Sequence, residues 1–193
     1  MRIVKYPHPA LRHTSKPLKR VDAGLKKIIG EMLDLMYAGR GIGLAANQVD
    51  LPYRMFIVNP EGDAKAKDQE FVFINPVITR RSGTAEAEEG CLSLPEIYAP
   101  VRRSDEIVVS AYNLAGDEVR YELSGLVARA VQHEYDHLDG VLFIDRLSDS
   151  GKLSVKEALG ELELEFKGLR ERGQIPDDRQ IAARLQEFEQ LRT

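Results

Sequence analysis

Two histidines four residues apart, His133 and His137, with Glu134 beside the first, lie in the run QHEYDHLDG, residues 132–140. On a helix a four-residue step is about one turn, so both imidazoles share a face and can bind one metal ion. Glu134 then stands within reach of a water polarised at that ion, which is the arrangement of a hydrolytic metal site. The bland reading is two histidines sharing a surface helix by chance. Leu126 and Ala130 continue the same stripe and argue for an inward face instead. A catalytic metal ordinarily takes three protein ligands and keeps one position open. Cys91 is the only cysteine in the chain. Its thiolate suits iron, zinc, cobalt or nickel, although a lone cysteine is more often a small buried apolar residue. His8 and His13 sit among prolines and basic residues and read as surface histidines.

A third segment, Gly41-Ile42-Gly43-Leu44-Ala45-Ala46-Asn47-Gln48, combines glycines that let backbone approach closely with small residues that pack tightly. It lacks the Lys-Ser/Thr of a phosphate loop. It also follows a helix rather than a strand, which argues against a dinucleotide site. Gln48 supplies an uncharged amide donor suited to a carbonyl or an oxyanion. By itself the segment reads as a plain turn.

Other elements must hold these residues in place. Asp22 can cap a helix running to Ala38, in which Leu25, Ile28, Ile29, Met32, Leu33, Leu35 and Met36 follow helical spacing. Short strand-like runs follow at Met55–Val58, Phe71–Ile74, Glu106–Tyr112 and Val119–Leu123, and Ala115-Gly116-Asp117 reads as a hairpin turn between the last two. The charged stretch 61–70 is a solvated connection. Ser124 offers an N-cap for a helix over 125–138, with Gly140 just beyond its end. Residues 141–145 read as a short buried strand or extended return. After Leu147, residues 152–171 and 177–192 are charged and helical in pattern, interrupted by Gly173 and Pro176. The order predicts an α+β domain over 1–147, largely antiparallel, and a helical extension over 148–193 that packs on the domain or on a partner.

Composition narrows the classes further. With 43% hydrophobic and 30% charged residues in 193, the chain can bury a sizeable core, so general disorder is excluded. No apolar run approaches the roughly 20 residues of a membrane helix, and the start MRIVKYPHPALRHTSKP carries no secretory signal. A single cysteine permits no intrachain disulfide, and a reducing cytoplasm is the expected home. Net charge is −4, yet the first 30 residues hold eight Lys/Arg against one acid, Asp22. Such an end could touch RNA, but a solvated face is the ordinary reading.

Taken together and in this order, GIGLAANQ (41–48), EGCLS (89–93) and QHEYDHLDG (132–140) resemble the three signature motifs of the peptide deformylases. The resemblance covers about residues 1–147. It implies a compact domain of largely antiparallel sheets around a central metal-bearing helix, and removal of the formyl group from the N-terminal formylmethionine of nascent polypeptides. It implies Cys91, His133 and His137 as metal ligands and Glu134 as general base and acid. Gln48 and the backbone N–H of Leu92 would be donors to the formyl oxygen. Glu89 would pair with Arg103 to brace the Cys91 segment. One divalent ion is implied, Fe(II) in the cell, with Zn(II), Ni(II) or Co(II) able to replace it in purified protein. Ile42, Gly43, Leu44, Leu126 and Ala130 are expected to form the methionine pocket, with Arg129 at its rim.

The implied partners are formyl-Met nascent peptides, with a transient ribosome contact through the tail and no membrane. An organelle interior is the alternative compartment if the chain is processed. This tail lacks the basic bias of relatives whose C-terminal helix docks on ribosomes. Two further departures are Arg40, where many bacterial relatives carry an acid, and Tyr98, where many carry an arginine near bound peptide. The competing readings are a His-Glu-x-x-His metallopeptidase and a non-catalytic ribosome- or RNA-binding protein with a structural metal.

Overall fold

The computed structural model describes residues 1–193. Helix α1 (Ala23–Ala38) starts where the Asp22 carboxylate accepts from the Leu25 N–H, satisfying one of the first turn's free donors. Seven strands follow: β1 (Gly43–Ala45), β2 (Met55–Val58), β3 (Phe71–Ser82), β4 (Ala85–Cys91), β5 (Leu94–Arg103), β6 (Glu106–Tyr112) and β7 (Glu118–Ser124). Then come α2 (Gly125–Leu138), α3 (Asp149–Glu171) and α4 (Asp178–Arg192). Strands β1-β2-β3-β6-β7 form one antiparallel sheet, and β4 and β5 form a separate antiparallel hairpin. This is the expected α+β architecture.

The central sheet is covered on both faces, and β2 shows why. Its residues alternate sides. Met55 and Ile57 pack with Leu25, Ile29, Met32 and Met36 of α1. Phe56 and Val58 pack with Ala128, Val131 and Leu138 of α2. All four β2 residues are therefore buried, which explains a continuous apolar run rather than an alternating one. A third core joins the inner face of β5 (Leu94, Ile97, Ala99, Val101) to Leu11, Leu142, Phe143 and Val155.

Three expectations change. The strand beginning at Phe71 does not stop at Ile74 but runs to Ser82, because a register shift between Ile74 and Val77 accommodates Asn75 at φ +51° and Pro76. Hairpin β4–β5 has no counterpart among the expected strands. Residues 141–145 form no strand: Phe143–Arg146 is a 3-10 turn, closed by Asp145 accepting from the Leu142 N–H, and it buries Phe143 and Ile144.

The tail lies on the body. Helix α3 sets Val155, Ala158, Leu159 and Leu162 against the β5 core, and α4 buries Ile181 and Leu185 on Ala10. Tyr6 donates its phenol hydrogen to Glu163 of α3 at 2.8 Å. Burial first, then this bond, raise its pKa from 10 to about 12. The neutral phenol is the bonded form, so this contact's stabilisation is full below pH about 10 and lost as pH rises towards about 12. In alkaline difference absorbance, Tyr6→Phe is expected to remove one late-ionising tyrosine. An unchanged titration curve would contradict this placement.

Candidate active site

The rotation of α2 decides what its polar residues face. With Ala128, Val131 and Leu138 turned into the sheet, His133, Glu134 and His137 are directed towards β1 and the end of β4, and all three are buried. Gly140 follows at φ +70°, where any side chain would overlap the Arg12 carbonyl, so the chain reverses tightly behind the helix. Cys91 ends β4 and is joined to β5 by the tight turn Leu92-Ser93.

These elements bring one sulfur and two imidazoles together. The ligand atoms of Cys91, His133 and His137 all lie within 4.8 Å of one another, with Cys91 Sγ 3.3 Å from His137 Nε2. Burial lowers the His137 pKa well below 6.5, which keeps its imidazole in the neutral form that ligates. Burial pulls His133 down too, but hydrogen bonds with Cys91 and Glu89 outweigh it and raise the pKa to about 10. Cys91 and Glu89 thus favour a positive charge at His133, while His137 stays neutral. A soft thiolate with two imidazoles, closely spaced beside a cleft, would suit a divalent ion.

Glu134 and Gln48 flank this cluster. Burial is the main cause that raises the Glu134 pKa to about 7, a value suited to both taking and returning a proton near neutrality. Its Oε2 is buried without a hydrogen-bond partner. Gly43 makes room for it, since a Cβ at that position would overlap the Glu134 carboxylate. Gly43→Ala is therefore expected to displace the carboxylate and lower hydrolytic turnover by roughly 10²-fold with metal content unchanged. Activity within twofold of the parent would refute this. Gln48 sits in the 3-10 turn Ala46–Val49. Its Oε1 accepts from the Ala45 N–H at 2.8 Å, which orients Nε2 to lie 3.3 Å from both Cys91 Sγ and Ser93 Oγ.

Behind the ligands lies a buried ion network. Glu89 accepts from Arg103 Nε at 2.6 Å and Nη2 at 2.8 Å, from Arg129 Nη1 at 2.7 Å, and faces His133 Nδ1 at 3.0 Å. Burial opposes its charge, but the bonds to His133 and Arg103 win and hold its pKa at about 2. The ionised carboxylate fixes His133 with Nδ1 donating, which leaves Nε2 as the nitrogen available to a metal ion. Arg103 also reaches Asp136 at 2.8 Å, and Arg146 holds Asp136 through two bonds of 2.5 Å.

The Glu89–Arg103 pair was expected; Ser93, Asp136 and Arg146 were not. The available signal for Asp136 was its position between the two histidines, where a buried carboxylate requires a cation. Arg129 was expected only at the pocket rim. It does border the cleft, but its guanidinium also ties α2 to Glu89 and to the carbonyls of Val101 and Ala85.

The site opens into a cleft of about 640 Å³ whose wall includes Ile42, Gly43, Leu92 and Ala130. Leu126 stands at its mouth, 56% exposed, rather than continuing an inward stripe, and Tyr98 is also exposed there. Leu44 does not line the cleft: strand alternation turns it into the α1 core. His8 is not a surface histidine. It lies buried edge-on to Phe166 of α3 because the tail covers it, and His13 is paired with Glu189 of α4 at 2.8 Å.

Residues 1–153 match the family described as polypeptide deformylase. A protein of Rhodopirellula baltica named peptide deformylase is 44% identical over 191 residues, covering 99% of this chain and 94% of its own length. The solved structure of Plasmodium falciparum peptide deformylase aligns with a TM-score of 0.84 at 38% identity, covering 86% of this chain and 98% of that one. Peptide deformylase 1B of Arabidopsis thaliana, solved with an inhibitor, aligns at 0.84 and 40% identity over 92% of this chain and 97% of that one.

Proposed function

This chain belongs to the peptide deformylase family, and we propose that Cys91, His133 and His137 hold the single divalent ion with which it removes the N-formyl group from nascent peptides. The relatives favour neither the metallopeptidase nor the RNA-binding alternative. The observation that carries the site assignment is the convergence of three ligand atoms beside a buried, partly unpartnered Glu134 on a peptide-sized cleft.

When bound, the ion acts as a Lewis acid, making water acidic enough to attack near neutral pH and drawing charge from the formyl oxygen. Glu134 takes the proton that the attacking water gives up as its oxygen bonds to the formyl carbon. It then returns that proton to the amine nitrogen as the carbon–nitrogen bond breaks, releasing formate and a free N-terminus. Gln48 Nε2 and the Leu92 N–H donate to the formyl oxygen as negative charge builds on it, each donor being worth about 2.7–4 kcal/mol. Ile42, Gly43 and Ala130 form the wall for the methionine side chain, with Leu126 closing over it from the mouth.

The ion in the cell is assigned as Fe(II), with Zn(II), Ni(II) or Co(II) able to occupy the same donors. The single cysteine suits a reducing compartment, the bacterial cytoplasm or an organelle interior. No helix of the chain is long and apolar enough to cross a membrane. Residues 148–193 are treated as an extension of a catalytic body spanning 1–147. A transient ribosome contact through the outward face of α3, where Leu153 and Leu164 are exposed, belongs to the same proposal. Ribosome co-sedimentation unchanged by replacing both leucines with glutamate would remove it.

The test is formate release from formyl-Met-Ala-Ser by anaerobically purified protein, with metal measured on the same sample. About one ion per chain and rapid release are expected, both lost after chelation and both absent in Cys91→Ala. A fully metallated protein that releases no formate would overturn the reading.

A further inference from the structure

We propose that α4 is a positioning element for the catalytic turn: Arg184, Ile181, Leu185 and Glu189 hold the Ala46–Val49 turn from behind, so that Gln48 presents its amide to the reacting carbonyl. The inference rests on the assignment of Gln48 as an oxyanion donor.

The turn is four residues long and is closed at its end by Asp50 at φ +63°. So short a unit has little stiffness of its own, and its orientation depends on what its flanks touch. Asn47, next to Gln48, is fully buried and keyed to the segment before α1. Its Oδ1 accepts from Ser15 Oγ at 2.6 Å, and its Nδ2 donates to the carbonyls of His13 at 2.6 Å and Ala10 at 3.4 Å.

That segment is itself irregular, a short 3-10 turn at Pro9–Arg12 followed by extended chain. Helix α4 covers it. Ile181 and Leu185 bury Ala10, and Glu189 holds the His13 ring at 2.8 Å. The residue whose carbonyl anchors Asn47 is thus the one whose side chain is anchored by α4. A second, direct tie runs from Arg184 to the Asp50 carboxylate, two residues beyond Gln48.

Positions 181, 184, 185, 188 and 189 follow one helical face, and Phe188 continues that face onto the α1 core. No α4 residue borders the active-site cleft. Its influence on the reaction therefore runs through the turn, and its side chains are positioning residues rather than catalytic ones.

The test measures kcat and KM for formyl-Met-Ala-Ser in Arg184→Ala, Arg184→Lys and Arg184→Ala/Ile181→Ala, in the parent and in Gln48→Ala, far below the unfolding temperature and with metal content matched. A donor that acts mainly in the transition state affects kcat more than KM. The double variant is expected to lower kcat about tenfold with KM little changed. Arg184→Lys is expected to retain most of the activity. In the Gln48→Ala background the same substitutions are expected to change kcat less than twofold, because the donor they position is gone.

An unchanged kcat in the double variant where Gln48→Ala itself lowers kcat, or an equal fall in the Gln48→Ala background, overturns the proposal. Amide hydrogen exchange separates its failure from that of the functional reading. Faster exchange over residues 46–51 in the variant, with α2 unchanged, supports the bracing even if Gln48→Ala proves kinetically silent, and equal exchange refutes it.

Discussion

Glu134→Ala is expected to keep its full metal content and to release formate about 10²- to 10⁴-fold more slowly than the parent. The three ligand atoms form a set that does not include the Glu134 carboxylate, so removing it leaves them in place. What disappears is the group proposed to take the proton of the attacking water and return it to the departing amine. Stability is not expected to fall with activity. A buried carboxylate with an unpartnered oxygen is a cost to the fold, so the alanine variant should unfold no earlier than the parent. Glu134→Gln gives a sharper version, because it keeps the size and the contact to Gly43 while removing the base. Turnover near the parent level in either variant, at equal metal content, would sink the assignment.

The second large effect is on stability. Arg103→Met is expected to cost about 3–5 kcal/mol of unfolding free energy, the usual penalty for removing one partner from a buried ion pair. Arg103 is 6% exposed and serves Glu89 through two bonds and Asp136 through a third. Arg129, His133 and Arg146 remain to those carboxylates, but none can replace a guanidinium lying between both. Arg103→Lys is not expected to rescue, since an ammonium cannot match the paired geometry to Glu89. Because Glu89 also orients His133, metal affinity is expected to drop about 10- to 100-fold. Denaturant unfolding of the metal-free protein and a competition titration with a chromophoric chelator read the two effects separately. An unfolding free energy within about 1 kcal/mol of the parent would show that the network is not what holds hairpin to helix.

Local chemistry made some elements legible and hid others. Helices α1 and α2 could be read to within a residue because Asp22, Ser124 and Gly140 mark their ends, and in α1 apolar spacing also marks the buried face. The cluster of Cys91, His133 and His137 was legible because motif and donor chemistry point the same way. Hairpin β4–β5 was hidden because Ala85–Glu89 alternates small and acidic residues with little apolar signal, and Pro95 and Pro100 interrupt β5. Prolines are tolerated there because β5 pairs with β4 alone, leaving its other edge free of ladder bonds. Leu44 could not be placed because period-two alternation over a three-residue strand leaves its facing ambiguous. The burial of His8 under α3 is a contact between distant parts of the chain, which no window of local sequence contains.

The Glu89 network has a mechanical consequence. Cys91 comes from a hairpin and the two histidines from a helix, and the seam between them is riveted by Arg103 to Asp136 and by Glu89 to Arg129 and His133. The hairpin cannot hinge away from α2 without parting buried ions, so cleft width and ligand spacing form a single rigid dimension. Peptides of different bulk must then be accommodated at the rim, where Leu126 and Tyr98 are exposed, and not by a jaw that opens. Selectivity along the peptide is in this sense decoupled from the chemistry: the rim can vary while the reacting centre stays at one fixed gauge.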